Sequence, residues 1–201
     1  MISRTNPSTR DRILEEARDI YLESGMAGFS MRKVAARTGV TATAIYRHFD
    51  NKEALLVAVA SAGFQLFGRY LFRGLEGKTS WDRLHLAGEG YLRFGLEHCG
   101  YYRVMFMSSA EDFGFDKMPA DAAIRLAPTF QFLVDRVREC IEDHTFAPAD
   151  PVEVAATIWS SVHGAMSLYL TGKLRPVIQT EDQFIDYYRA SQLRLRDGLS
   201  A

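Results

Sequence analysis

The sequence predicts an all-α protein, with an N-terminal domain of three short helices (residues 1–52) and a larger helical domain behind it (53–201). Three observations carry this. Apolar residues recur at three- and four-residue spacing along most of the chain, whereas β-branched runs with period two are few. Helix-start signals repeat, each a Ser, Thr or Asp followed within three residues by an acid or glutamine. Glycine and proline punctuate the segments at intervals of helical length.

Taken in order, Ser8 is the expected cap of the first helix, with Asp11 in its first turn. Ile13, Leu14, Ala17, Ile20 and Tyr21 make one apolar stripe, and Gly25 ends it. Phe29 precedes Ser30, the expected cap of the second helix. Gly39 stands where a tight turn needs a residue that tolerates positive φ, and a third helix is expected over 41–49. Val34, Ala35, Ile45 and Phe49 are the core positions of this pair. Asp50, with Glu53 three residues on, reads as a capping-box-like start for a long helix through Leu55, Leu56, Val59, Phe64, Phe67 and Leu71, bent at Gly63 and Gly68.

A break over 74–80 precedes a helix over 81–97, and Gly100 opens the aromatic segment YYRVMF. Residues 109–118 read as a loop, and 119–142 as a helix interrupted near Pro128, because an interior proline removes a hydrogen bond. Asp150, Pro151 and Glu153 mark the next start, for a helix reaching Leu170 before Gly172. The last helix begins at Thr180, with Gln183 as capping partner, and ends near Asp197. There is no internal repeat and no low-complexity segment.

Composition narrows the function classes. No apolar run approaches the roughly 18–20 residues of a membrane span, so no membrane partner is expected. The N-terminus has no signal-peptide pattern, since acids interrupt it early. Cys99 and Cys140 form no C-x-x-C motif, which argues against a disulfide framework and for a reducing cytoplasmic location. The net charge of −1 hides an asymmetry: residues 1–52 hold nine Arg and Lys against six acids, while the remainder holds fifteen against nineteen. A modestly basic segment on an acidic body suits a specific duplex binder rather than a non-specific nucleic-acid coat.

Segment 29–56, FSMRKVAARTGVTATAIYRHFDNKEALL, carries most of the chemistry. Two short helices about a glycine turn make a helix-turn-helix. The expected outer face of the second helix carries Thr41, Ala42, Thr43, Tyr46, Arg47 and His48, all small, hydroxylated or basic. Such a face enters a major groove without steric or charge conflict. Ala42 and Thr43 are short enough to let the backbone approach base edges, and Arg47 suits a base or a phosphate. Lys52 adds charge where a helix N-terminus offers free N–H groups to the same phosphates. Lys33 and Arg37 read as solvated surface charge.

These residues resemble the TetR family of bacterial transcriptional regulators. The pattern runs from about residue 9 to 60: an amphipathic first helix, Phe29-Ser30-Met31, Val34-Ala35, Gly39-Val40, then Ile45-Tyr46-x-x-Phe49 and Asn51-Lys52-Glu53-Ala54-Leu55. The body is similar to a subgroup named for a Trp-His-Gly motif, here Trp159-x-x-x-His163-Gly164 followed by Leu168. The upstream stretch His98-x-x-x-Tyr102-Arg103-x-Met105-Phe106 also matches, with Cys99 where the subgroup has proline. The resemblance implies a homodimer on a palindromic double-stranded operator, most simply a repressor. It adds Ser30 and Arg32 to the DNA-binding candidates, Arg32 as a base reader, and makes Tyr46 and His48 phosphate contacts.

For the body, the resemblance implies ligand binding and dimerisation. The last two helices of this family pair across a two-fold axis. The apolar arc of helix 151–171 is too broad for one intramolecular face, which makes Trp159, Val162 and Met166, with Phe184 and Tyr188 of the last helix, the interface candidates. The middle helices are rich in aromatic and methionine side chains, as many small-molecule pockets are. Tyr91, Tyr102, Phe106 and Phe130 are expected to line a mostly apolar cavity, with His163 as a polar anchor. The same residues at helical spacing also suit an ordinary core. No basic cluster or phosphate-binding loop points to an anionic effector.

No catalytic residue, metal site or cofactor is expected. His98 and Cys99 are neighbours that diverge on a helix, and Glu97, Glu111 and Asp112 reach them only through tertiary folding. There is no Gly-x-Ser-x-Gly elbow and no His-Glu-x-x-His pair, so an enzyme is disfavoured. Two alternatives stand beside the effector-released regulator: a DNA-binding regulator without a small-molecule effector, and a helical ligand-binding protein or enzyme that has lost DNA binding.

Overall fold

Capping side chains set most of the helix starts in the computed structural model, which describes residues 8–109, 111 and 128–200. α1 (Thr9–Gly28) starts from a full capping box, with the Ser8 hydroxyl accepting from the Asp11 N–H and the Asp11 carboxylate accepting from the Ser8 N–H. Gly25 breaks α1 without ending it: at φ 60°, ψ −174° the backbone leaves helical geometry, and a last stretch follows to Gly28. Ser30 caps α2 (Met31–Thr38), and α3 (Ala42–Tyr46) follows. α4 (Lys52–Leu71) is one continuous helix. Its cap is Asn51 rather than Asp50, because the Asn51 Oδ1 accepts the Ala54 N–H at 2.7 Å.

A 3₁₀ turn (Phe72–Glu76) leads to α5 (Ser80–Glu97), and α6 (Cys99–Phe106) completes the segment before residue 109. α7 (Pro128–Glu142) opens with its proline in the first turn, where the missing N–H does no harm. The part of the expected 119–142 helix before Pro128, and most of the expected 109–118 loop, lie outside the described residues. α8 (Pro151–Leu170) is capped by Asp150, and α9 (Glu181–Leu199) by a Thr180–Gln183 capping box. Among the described residues there is no strand.

The chain forms two compact units, one of residues 1–65 and 100–120 and one of 66–99 and 121–201, so the first takes in more than the expected 1–52. Ile13, Leu14, Ala17, Val34, Ile45, Leu55, Leu56, Val59 and Val104 belong to the core of the first unit. Gly63 does not bend α4; it leaves room for Met105 and Tyr101 of α6, which a Cβ would crowd. In the second unit, a Cβ on Gly90 would collide with the Tyr70 carbonyl oxygen, so α5 packs on the backbone at the end of α4. The core of this unit includes Leu84, Val134, Val137, Cys140, Phe146, Val154, Ala155 and Ile158.

The Lys52–Glu76 stretch is long and apolar enough to cross a membrane by length and composition alone, despite its scattered charges. Its apolar positions are nevertheless occupied within protein: Leu55, Leu56 and Val59 are buried in the first unit, and Phe67 and Leu71 in the second.

Candidate nucleic-acid interface

The helix-turn-helix is built from local hydrogen bonds. The Ser30 hydroxyl accepts from the Lys33 N–H at 3.3 Å, so this candidate contact is a half-buried cap. Gly39 adopts φ 71°, ψ 27°, the left-handed geometry for which glycine is suited, and its N–H closes α2 on the Ala35 carbonyl. The Thr41 hydroxyl accepts from the Ala44 N–H at 3.2 Å, which makes Thr41 the cap of α3. α3 therefore starts one residue later than expected, and it ends at Tyr46 rather than Phe49. Arg47 and His48 continue it as a turn, with the N–H groups of His48 and Phe49 both donating to the Ile45 carbonyl.

Ile45 and Phe49 anchor this segment in the core. Thr43, Tyr46, Arg47 and His48 are exposed, Tyr46 at 52%. Ala42 is not on the open face as expected: it is half-buried and packs against the core of the first unit.

The basic side chains divide into engaged and free. The Lys33 ammonium donates to the Gly28 carbonyl at 2.7 Å, Arg12 donates to the Thr38 carbonyl at 2.6 Å, and Arg37 pairs with Glu16 and Glu23. Arg32, Arg47 and Lys52 make no hydrogen bond or ion pair among the described residues. Arg32 and Arg47 are exposed, and Lys52 is half-buried at the first position of α4. These three cations, on the same helix-turn-helix segment as exposed Thr43 and Tyr46, can donate to phosphate oxygens or to the acceptors of guanine.

The ligand candidates fall into two groups. In the second unit, the Tyr91 hydroxyl lies 3.2 Å from His163 Nδ1, and the Ser167 hydroxyl 3.3 Å from His163 Nε2. Trp159 stands 5.8 Å from the His163 ring and 5.9 Å from Phe130. Burial pushes the His163 pKa down, favouring the neutral ring. Tyr102 and Phe106 pair at 5.1 Å in the first unit, with Phe64 edge-on to Phe106 at 5.8 Å. Sequence reasoning did not pick out Ser167; its position four residues after His163, one helical turn on, was the available signal.

The interface candidates need correction. Val162, Met166, Phe184 and Tyr188 are buried in the second unit's own core. Met166 fills the space that a Cβ at Gly95 of α5 would need. Phe184 stacks on Tyr169 at 3.9 Å, and the Tyr188 hydroxyl donates to the Gly88 carbonyl at 3.0 Å. The broad apolar arc of α8 thus serves several neighbours within the same chain. Trp159 remains 40% exposed, and Val152 shares its face of α8, seven residues earlier.

Comparison with known proteins agrees with this geometry. Residues 13–59 match the family described as bacterial regulatory proteins, tetR family, and residues 84–189 match the tetracyclin repressor-like C-terminal domain. The tetracycline repressor protein class C of Escherichia coli is 40% identical over 57 residues, 28% of this chain; the match covers 26% of that relative's length. The TetR family transcriptional regulator PfmR from Thermus thermophilus has a similar fold, with a TM-score of 0.73 at 20% identity over 95% of this chain and 100% of that one. The ketosteroid transcriptional regulator KstR2 of Mycobacterium tuberculosis gives 0.72 at 18% identity, over 100% of both chains.

Proposed function

This chain belongs to the TetR family of transcriptional regulators, and from that premise we propose that it is a homodimeric, cytoplasmic DNA-binding regulator acting as a repressor on a palindromic operator. The observation that carries the reading is the exposed or half-buried set of Arg32, Arg47 and Lys52, with exposed Thr43 and Tyr46, on a helix-turn-helix whose Arg12, Lys33 and Arg37 are instead engaged within the protein. In this reading Arg32 reads a base edge, Tyr46 and His48 contact phosphates, and Lys52 holds the backbone beside the α4 N-terminus. A two-fold dimer presents two recognition helices to successive major grooves, about 34–36 Å apart. Exposed Trp159 and Val152 of α8 support a subunit interface there.

Release by a small, mostly apolar ligand completes the proposal. The Tyr91–His163–Ser167 polar chain, set among Phe67, Trp159 and Phe130, supports it, because small-molecule sites commonly combine aromatic side chains with one or two fixed polar groups. α4 is the element through which ligand binding reaches the DNA-binding helices, since it begins in one compact unit and ends in the other. The ligand acts by binding one of two conformations more tightly.

The test is selection of duplexes from a random-sequence pool by the full chain, followed by binding titrations. The expected result is enrichment of an inverted repeat bound with two chains per duplex. Recovery of no sequence preference would overturn the reading.

A further inference from the structure

Arg37 is a basic residue of α2 that the DNA-contacting set does not use. Its guanidinium is held by two carboxylates of α1: Nε donates to Glu16 Oε2 at 2.6 Å, and Nη1 donates to both Glu23 oxygens, at 2.8 and 2.7 Å. Glu16 and Glu23 are seven residues apart, so they share one stripe of α1. Arg12, four residues before Glu16, lies on the same stripe and donates to the Thr38 carbonyl at the end of α2. Thr38 is itself buried, its hydroxyl donating to the Val34 carbonyl at 2.7 Å. Two arginines, one from each helix, thus tie the last turn of α2 to α1 immediately before the Gly39 turn and α3.

We propose that Arg37 is a positioning residue for DNA binding: with Glu16 and Glu23 it seats α2 on α1, and through the Gly39 turn it fixes the attitude of α3, without touching DNA itself. The inference rests on the DNA-binding reading above. Its geometry argues against a phosphate contact. Swinging the guanidinium to a phosphate would leave two uncompensated carboxylates near a polyanion, and the planar fork is already matched to carboxylate oxygens. A lysine lacks the separate Nε and Nη1 donors that each meet one of these carboxylates, and would face both only as a single point charge.

Electrostatics and positioning predict opposite signs for one variant. Glu16→Gln combined with Glu23→Gln removes two negative charges and frees a cation, which by charge alone would tighten binding to any duplex. Positioning predicts that this variant binds the selected operator roughly three- to tenfold more weakly, the scale expected of exposed ion pairs coupled to a fixed geometry and doubled in a dimer. Binding to a random duplex should not weaken, so the ratio of operator to random affinity falls. A loss of folded protein would lower both affinities together. Arg37→Ala should lower the same ratio and leave unchanged the slope of log affinity against log salt.

Arg47→Ala, run alongside, separates the two layers of the argument. It should weaken binding and flatten the salt slope; if it does neither and the wild type selects no sequence, the DNA-binding reading fails rather than the role of Arg37. If Arg47→Ala behaves as expected, two results overturn the positioning role. One is operator binding that is unchanged or tighter in the double glutamine variant. The other is a salt slope reduced by about one per subunit in Arg37→Ala, the mark of a lost phosphate contact.

Discussion

The cations of the helix-turn-helix differ in what holds them, and that difference makes their roles separable by substitution. Arg32 is free and exposed, with five donors in a fork that matches guanine O6 and N7. Arg32→Ala should therefore weaken the operator by on the order of 1–3 kcal/mol, with relaxed preference at one base pair per half-site. Lys52→Ala should weaken all duplexes about equally, as expected of a point charge on a phosphate. Competition binding with single-position operator variants measures both, and a uniform loss in Arg32→Ala would remove it as a base reader. His163 is a residue-scale case of another kind. Burial holds its pKa below the ordinary value, so between the folded and unfolded pKa the unfolded chain carries the extra proton. Stability is then full above the unfolded value of about 6.5 and declines as the pH falls below it. Melting temperatures between pH 7.5 and 5.5 should drop for the wild type and drop less for His163→Gln.

At the scale of the element, the ends of the helices depend on single side chains. α4 is the clearest instance, because its N-terminus is held by the Asn51–Ala54 bond and its length runs through both compact units. Asn51→Ala should destabilise the protein by about 1 kcal/mol through the loss of that cap. Asp50→Ala, one residue earlier, should cost little, since the Asp50 side chain makes no capping bond to α4. Denaturant titration distinguishes them, and equal losses would return the cap to Asp50. α3 shows the opposite economy: with five residues it has little helical stability of its own, and Ile45, buried completely, holds it in place.

For the whole molecule, the expected partner is a second copy. Trp159 is large, apolar and 40% exposed on α8, the kind of side chain that an interface covers. Trp159→Glu should shift sedimentation from dimer toward monomer and lower operator affinity, although residue 159 is remote in sequence from the helix-turn-helix. Because Trp159 also packs near Phe130 and His163, circular dichroism of the variant must show retained helix for the result to report on association. A wild-type chain that sediments as a monomer at micromolar concentration while still shifting a palindromic duplex would sink the dimer.

The capping boxes at Ser8 and Thr180, the Asp150–Pro151 start, the left-handed turn at Gly39 and the buried pair of Ile45 and Phe49 all follow from residues within a turn or two of one another. Such features were legible in the sequence because their hydrogen bonds and periodicities close locally. The exposure of Thr43, Tyr46 and Arg47 follows in turn, since burying Ile45 and Phe49 turns those side chains outward. Contacts between distant residues were not legible. Arg37 meets carboxylates 14 and 21 residues away, Tyr91 meets His163 at a separation of 72, and Tyr188 donates to Gly88 at a separation of 100. An apolar stripe on a helix says that something must cover it, but not whether the cover is another helix of the same chain or a second subunit. Packing made that choice for Val162, Met166, Phe184 and Tyr188, enclosing them within their own unit and leaving Trp159 on the surface.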